Sequence, residues 1–249
     1  MYKISRFYNY LVDYILPARC LSCAEMTSTK EGFCLNCWKK FDFITKPYCN
    51  ICGCRLDISI LDDMCCAKCF QYKPHYNISR SLIKFNEHSK KIIHAFKYQD
   101  KTILSKTFSK LLYIQYHSEF QDIDLIIPVP MNRFKRLFRM YNPALIMAQE
   151  ISRLLKKPVS PDVLIKSRWT KSQTFLSKKE REKNLSNSLI FNKKYQIIDQ
   201  KILLVDDVLT TGTTINKCAK ILKDSGAKSV YVNDNCHDIN TLISPFYTH

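Results

Sequence analysis

The sequence lacks three features that would place it in other classes of protein. No segment approaches the roughly 18 consecutive apolar residues of a membrane-spanning helix, so we expect no membrane span. Residues 1–20 are not a convincing signal peptide, because Asp13 interrupts their apolar part and no small-residue cleavage site follows. Acidic residues are also few, with 22 Asp and Glu against 39 Lys and Arg. We therefore expect a basic, cytoplasmic protein.

The basic excess points to an anionic partner. The formal net charge is +17, and 46% of the 249 residues are hydrophobic, so the chain can form a core and global disorder is not expected. Nucleic acid and phosphorylated small molecules are the partners that such a charge suits. A lysine-rich, solvated surface explains the charge equally well, because net charge concerns partners and not the fold. Helically spaced apolar residues over 4–16 predict a short amphipathic helix that packs on the protein.

Cysteine, in contrast, is abundant and clustered. Ten of the 12 cysteines lie before residue 70, and eight of them form four CxxC pairs separated by ten, eleven and thirteen residues. Two CxxC knuckles close a tetrahedral shell of thiolates around zinc, so four pairs at this rhythm predict two structural zinc ions. A disulfide framework would need an oxidising compartment, for which we see no export signal. The candidate ligands are Cys20, Cys23, Cys34, Cys37, Cys49, Cys52, Cys66 and Cys69.

The spacing leaves open how the pairs combine. Taken in sequence order they make two ribbons of four cysteines each, and an interleaved pairing is the alternative. Cys54 and Cys65 are spare, and Cys66 rather than Cys65 has the two-residue spacer to Cys69. Residues 1–76 form a small module with little apolar material, so metal binding is expected to supply folding free energy that its core cannot.

From residue 77 the cysteine pairs stop, and apolar strands alternate with helices. This alternation predicts an α/β domain over residues 77–249, with a mainly parallel sheet flanked by helices. Asn142 is the expected N-cap of one helix, with Pro143 in its first turn, and Gly226 is expected to end another. Strands are predicted over 78–86, 124–130, 201–208 and 227–234, and helices over 90–100, 101–117, 142–157 and 213–226.

One predicted strand continues into an unusual run, KILLVDDVLTTGTT, over residues 201–214. In open α/β sheets, ligands bind beyond the carboxyl ends of the strands. Four threonines around one of only four glycines in the chain would present amides and hydroxyls to a phosphate at a helix N-terminus. Asp206 and Asp207 beside them suit sugar hydroxyls or a magnesium ion. A simple capped helix start explains one acid and one threonine, but it explains the whole run poorly.

This run resembles the 5-phosphoribosyl 1-pyrophosphate (PRPP) motif of type I phosphoribosyltransferases. With the cysteine pairs ahead of it, the chain from Leu16 to about Val232 resembles the ComF/GntX family of bacterial competence-associated proteins. That family has a double zinc ribbon fused to a phosphoribosyltransferase-like domain. The matching segments are ILPARCLSC, DLIIPVP, VDDVLTTGTT and the flexible-loop pattern Gln173, Ser177, Arg181 and Asn184.

The resemblance implies a role for each matching residue. Asp206 and Asp207, the catalytic acids of the motif, would hold the ribose hydroxyls, and the threonine run would cradle the 5′-phosphate. Gln173 and Arg181 would sit on a loop that closes over the site. Magnesium would bridge pyrophosphate and ribose oxygens. The implied PRPP-binding residues are Asp206, Asp207, Thr210, Thr211, Gly212, Thr213, Thr214, Pro128, Val129 and Arg139.

One run departs from the family's pattern. Where the family usually has Arg-Gly-Phe-Asn-Gln after the pyrophosphate loop, this chain has Arg-Met-Tyr-Asn-Pro over residues 139–143. Met140 removes a glycine and its easy access to positive φ, and Pro143 removes a backbone amide donor. These changed residues belong to the pyrophosphate side of the predicted site. They are therefore expected to affect turnover more than binding of the 5′-phosphate at the threonine run.

Two functions are consistent with these sequence features. The first is a competence-associated protein that binds PRPP with magnesium and assists the handling of incoming single-stranded DNA in natural transformation. The alternative is an active phosphoribosyltransferase of nucleotide metabolism, whose ribosyl acceptor the sequence does not identify. Basic residues flank the predicted ligand loops and would attract a DNA strand or an anionic small molecule. They are Arg133, Lys135, Arg136, Arg139, Lys166, Arg168, Lys171, Lys178, Lys179, Arg181 and Lys183.

Overall fold

The structure, a computed structural model, describes most of the cysteine module and of the α/β domain. The described residues are 17–27, 32–56, 64–98, 102–131, 141–166, 189–209 and 212–237. Several predicted features lie outside them, namely the helix over 4–16, Thr210, Thr211, Arg139, Gln173, Arg181 and every residue of the basic flanks except Lys166.

A four-stranded parallel sheet forms the centre of the α/β domain. The strands are β1 (Ile78–Lys84), β2 (Leu125–Pro128), β3 (Leu164–Lys166), β4 (Leu189–Phe191), β5 (Lys201–Val205) and β6 (Ser229–His237). The parallel sheet has the order β1-β6-β5-β2, which confirms the predicted fold class, while β3 and β4 pair separately and antiparallel. Those two strands were not predicted, because three residues are too short to show a period.

Helices cover both faces of the sheet, which explains the continuous apolar run in β5. The helices are α1 (Leu35–Trp38), α2 (Ala67–Gln71), α3 (Glu87–Tyr98), α4 (Ile103–Tyr116), α5 (Pro143–Leu155) and α6 (Thr213–Asp224). Leu203 and Val205 pack in one buried cluster with α4 and α5, and Ile202 and Leu204 in another with α6. A strand enclosed by helices on both faces is apolar at successive positions. No helix among the described residues is both long and apolar enough to cross a membrane.

The predicted helix ends are confirmed. The side chain of Asn142 accepts a hydrogen bond from the Ala144 amide at 3.2 Å and caps α5, with Pro143 as the first helical residue. Proline suits this position, because its missing amide has no partner inside the helix. After α6, Gly226 adopts a left-handed backbone with φ of +98°, which a glycine adopts without strain.

The cysteine module is attached to β1, the outermost strand on one side of the sheet, by backbone hydrogen bonds. The Ile44 amide donates to the Leu82 carbonyl at 3.0 Å, and the Ser79 amide donates to the Ile51 carbonyl at 2.6 Å. An edge strand presents unpaired amides and carbonyls, and these bonds satisfy part of that edge. The module therefore extends the hydrogen-bonded structure of the sheet.

Aromatic residues of the first ribbon, which contains Cys20, Cys23, Cys34 and Cys37, belong to the core of the α/β domain. Phe33 and Phe41 are buried, and their rings lie 5.9 Å and 6.3 Å from the ring of Phe108 in α4. A module this small cannot bury two phenylalanines by itself, so it shares a core with its neighbour. The first ribbon and the sheet are packed as one hydrophobic cluster.

An ion pair within the α/β domain, between Arg80 of β1 and Glu119 after α4, also contacts the second ribbon. The Arg80 guanidinium contacts both carboxylate oxygens of Glu119, at 2.9 Å and 2.6 Å, and donates to the Asn50 carbonyl at 3.2 Å. The Tyr48 ring lies 4.7 Å from the guanidinium carbon and its hydroxyl donates to Glu119 at 3.3 Å. A two-point arginine–carboxylate contact is strongly directional. It therefore holds the guanidinium in place, and the bond from Arg80 to the Asn50 carbonyl attaches the second ribbon to β1.

Candidate functional site

The carboxyl ends of β2 and β5 lie side by side. Pro128 is in register with Val205, and the Val129 amide donates to the Val205 carbonyl at 2.8 Å. The loop after β2 and the acid pair after β5 therefore start at the same edge of the sheet. The Asp206 amide donates to the Asn233 carbonyl at 3.1 Å, so β6 also supports the start of the acid pair.

The N-terminus of α6, the next element after the acids, lies at this edge. Gly212 is its N-cap, with φ of +73°, and its carbonyl accepts from the Asn216 amide at 2.8 Å. A Cβ on Gly212 would meet Leu209 Cδ1 at 3.6 Å, an ordinary contact. Backbone conformation, and not lack of space, therefore requires the glycine. The dipole of this twelve-residue helix favours an anion at its N-terminus.

The two acids are partly buried and locally ordered. The Asp207 amide donates to Asp206 Oδ1 at 2.8 Å, which holds the Asp206 side chain against its own backbone. Both side chains retain partial exposure, so their carboxylates are placed to accept hydrogen bonds from hydroxyl groups or to approach a hard cation.

A third acid, which the sequence did not single out, lies beneath the pair. Asp234 in β6 is completely buried and its Oδ2 accepts a hydrogen bond from Ser81 Oγ at 2.8 Å. Burial, with a smaller contribution from the Asp207 charge, raises its pKa well above the usual range. The available sequence signal was the polar run Asn233-Asp234-Asn235 at the end of the strand predicted over 227–234.

Asn142 has a second role besides capping α5. Its Nδ2 donates to the Val129 carbonyl at 3.2 Å, so the start of α5 is tied to the loop after β2. Within the described residues, the structure therefore brings one part of the predicted PRPP site to one edge. These residues are Pro128, Val129, Asp206, Asp207, Gly212, Thr213 and Thr214.

The eight paired cysteines meet in two groups of four, in sequence order and not interleaved. The first group is Cys20, Cys23, Cys34 and Cys37, and the second is Cys49, Cys52, Cys66 and Cys69. Within each group the four sulfurs lie within 4.8 Å of one another. None of the 12 cysteines forms a disulfide.

The sulfur geometry fits zinc. A zinc–sulfur distance of about 2.3 Å places two ligands of a tetrahedron about 3.8 Å apart, whereas a disulfide needs about 2.05 Å. The Cys23 and Cys34 sulfurs lie 3.6 Å apart, and those of Cys52 and Cys66 lie 3.7 Å apart. Both distances match a shared tetrahedral ion.

Backbone amides surround the cysteine that opens each group. The Cys34 amide lies 3.2 Å from the Cys20 sulfur, and the Cys66 amide lies 3.2 Å from the Cys49 sulfur. Burial raises the pKa of the Cys20 thiol, but the amides of Cys23, Cys34 and Ser22 outweigh that effect and lower the pKa to about 6. Thiolates are the form that binds zinc, so these amides prepare the site.

Fold and site together define a class of protein, a phosphoribosyltransferase-like domain preceded by a cysteine-rich metal module. The sequence profile of the double zinc ribbon domain matches residues 11–70, and that of the phosphoribosyl transferase domain matches residues 142–232. Among solved structures, a purine phosphoribosyltransferase from Pyrococcus horikoshii is similar, with 18% sequence identity and a TM-score of 0.38. The match covers 57% of this chain and 78% of that chain. The fold assignment rests on the profiles and on the parallel sheet.

Comparison with similar proteins identifies the family to which this chain belongs within that class. Competence protein F of Haemophilus influenzae is 30% identical over 86% of this chain and 94% of its own length. Competence protein ComFC of Streptococcus pneumoniae is 27% identical over 85% of this chain and 96% of its own length. The DNA utilization protein YhgH of Escherichia coli is 27% identical over 87% of this chain and 96% of its own length. The chain belongs to the ComF/GntX family.

Proposed function

We propose that this protein is a cytoplasmic, competence-associated member of its family that binds PRPP with magnesium and assists the handling of incoming single-stranded DNA. The observation that carries PRPP binding is the bond from the Val129 amide to the Val205 carbonyl, at 2.8 Å. It brings the loop predicted to flank pyrophosphate beside the acids predicted to hold ribose. A ligand with a sugar between two anionic ends suits such an edge.

Each part of the site takes a different part of PRPP in this proposal. Asp206 and Asp207 accept hydrogen bonds from the ribose hydroxyls, and the start of α6 with Gly212 receives the 5′-phosphate. Magnesium would supply charge neutralisation between the pyrophosphate and ribose oxygens. The Asn142 side chain orients the pyrophosphate-side loop through its bond to Val129.

Binding, and not turnover, is the proposed activity because of the start of α5. Pro143 is the first residue of that helix and contributes no amide, while the family pattern has glutamine at this position. A helix start next to the pyrophosphate-side loop thus has one donor fewer. Stabilising the leaving pyrophosphate depends on such donors.

The DNA-handling part of the proposal rests on the names of the similar proteins and on the net charge of this chain. Relatives over most of the chain are named competence and DNA utilization proteins. The formal net charge of +17 suits a polyanion. Of the basic residues that flank the predicted ligand loops, Lys166 lies at the end of β3, and the others fall outside the described residues.

Thermal unfolding of the purified chain with and without magnesium–PRPP tests ligand binding. At a ligand concentration of 100 times Kd, a ligand that binds only the native state stabilises it by about 2.7 kcal/mol. In a protein of this size that corresponds to a rise in Tm of about 5–11 °C. The double variant Asp206→Asn, Asp207→Asn should lose this rise.

The matched control is Asp224→Asn, which removes an exposed carboxylate at the opposite end of α6. This variant should keep the full rise in Tm. If the double variant at positions 206 and 207 also keeps it, the two acids do not hold the ribose. Pyrophosphate release, measured in the same samples, should stay at the level of a protein-free blank; release above it would favour the alternative of an active transferase.

A further inference from the structure

A carboxylate lies beside the first cysteine centre and outside its group of four sulfurs. Glu25 Oε2 is 3.5 Å from the Cys23 sulfur and 3.7 Å from the Cys34 sulfur. Those two sulfurs are 3.6 Å apart, so the three atoms form a triangle with nearly equal sides. Cys23 and Glu25 are exposed and Cys34 is half-buried, so this triangle is a face of the centre that solvent can reach.

A backbone turn fixes the position of Glu25. The Ala24 amide donates to the Cys20 carbonyl at 3.0 Å, and the Cys20 amide donates to the Glu25 carbonyl at 2.7 Å. The second centre repeats both bonds, at 2.9 Å and 2.7 Å, with Cys54 in the place of Glu25. The turn is therefore a property of the knuckle itself, and it carries a carboxylate at the first centre only.

Three anionic groups this close to one another require a cation. Zinc binds cysteine as thiolate, so in the loaded centre neither sulfur carries a proton that it could donate to Glu25. Four thiolates around one doubly charged zinc leave two negative charges, and the carboxylate adds a third. Arg19 on the same turn directs its guanidinium to the Ala24 carbonyl, at 3.1 Å. Like charges in contact repel, so a cation between them stabilises the arrangement.

The distances are those of ligands that share one metal ion. In tetrahedral coordination, zinc–sulfur bonds of about 2.3 Å and zinc–oxygen bonds of about 2.0–2.2 Å place a sulfur and an oxygen about 3.5–3.7 Å apart. The two distances from Glu25 Oε2, 3.5 Å and 3.7 Å, match this range. The four cysteines already complete one tetrahedron, and Glu25 is not among them. The ion that Glu25 contacts is therefore a second one.

We propose that the face formed by Cys23, Cys34 and Glu25 binds an additional thiophilic divalent cation, such as zinc, beside the zinc ion of the first tetrad. The two thiolates bridge the ions, and Glu25 is the third ligand from the protein. Thiolates can bridge, since modules with two zinc ions and six cysteines must share ligands between the ions. With three protein ligands and a fourth position left to water, the added ion is open to exchange, whereas the tetrad ion is closed.

Zinc titration of the purified full-length protein tests this site. After dialysis against metal-free buffer the protein should retain the two zinc ions of its tetrads. Added zinc should then bind as one further equivalent, measured by isothermal titration calorimetry. Glu25→Gln should retain the same two ions and bind the further one at least about tenfold more weakly, because even outer-shell changes cost about 10–100-fold in metal affinity.

Glu87→Gln is the matched control, since it removes an exposed carboxylate at the start of α3. It should bind the further equivalent as the unmodified protein does. Equal weakening in this variant would show only a general attraction of cations to surface charge and would overturn the site. Absence of a further equivalent in the unmodified protein would overturn it as well, and so would equal affinity in Glu25→Gln.

Cadmium shows whether thiolates hold the added ion. One equivalent of cadmium, added to the zinc-loaded protein, should produce thiolate-to-cadmium absorption in the ultraviolet without releasing zinc. Glu25→Gln should give a much smaller rise at the same cadmium concentration. Release of one zinc per cadmium bound would mean replacement of a tetrad ion and would contradict the proposal. Retention of only one zinc by Glu25→Gln would make the carboxylate a ligand of the tetrad ion itself, which also excludes a second ion.

Discussion

Docking of the second ribbon on the sheet should depend on the absence of a side chain at Gly53. A Cβ at this position would lie 2.6 Å from the carbonyl oxygen of Ser79, a backbone atom of β1. The same contact region holds the bond from the Ser79 amide to Ile51, at 2.6 Å, and the bond from Arg80 to Asn50, at 3.2 Å. Gly53→Ala therefore has to push the ribbon away from β1 and weaken both bonds.

The expected cost is the sum of a conformational and a contact contribution. An L-residue held in the left-handed region costs about 1–2 kcal/mol. A neutral hydrogen bond contributes about 0.5–1.5 kcal/mol and one to a charged group about 1.5–3 kcal/mol. Gly53→Ala should thus cost about 3–6.5 kcal/mol, and for a protein of this size Tm should fall by about 6–26 °C.

Gly212→Ala separates the two contributions. Gly212 has a similar φ of +73°, but a Cβ there meets only Leu209 Cδ1, at 3.6 Å. This variant has the conformational cost alone, about 1–2 kcal/mol, or about 2–8 °C in Tm. Thermal unfolding without ligand, followed by circular dichroism in the presence of zinc, compares the two. Equal losses of Tm would show that the contact with Ser79 carries no energy.

Two further predictions concern charge. The pKa of Asp234 is raised by burial and by Asp207, so its contribution to stability is fully present below its unfolded pKa of about 3.9 and is lost as pH rises through the folded pKa. Asp234→Asn cannot ionise, so the wild type should lose Tm relative to this variant over that pH window; parallel profiles from pH 4 upward would contradict it. Affinity for single-stranded DNA, measured by fluorescence anisotropy, should fall steeply as salt rises from 50 to 200 mM, because bound phosphates release counterions; a flat response would remove the DNA-handling proposal.

Features encoded over a few neighbouring residues could be predicted from the sequence. The apolar run of β5, the Asn142–Pro143 helix start and the glycine after α6 each depend on contacts within one or two turns of chain. The family resemblance rested on equally local runs, the CxxC pairs and the acid–threonine run, and the relatives over most of the chain agree with it. The strands β3 and β4 were missed because pairing, and not a periodic pattern, defines strands of three residues.

By itself, the sequence determined the order of elements, the class of the domain and the cysteines able to bind metal, because spacing and periodicity are local properties of the chain. Tertiary structure decided which cysteine pairs combine. It also decided that Arg80 pairs with Glu119 and that Asp234 is buried against Ser81, across 153 residues. Such contacts follow from strand register and packing between distant segments, which no local pattern encodes.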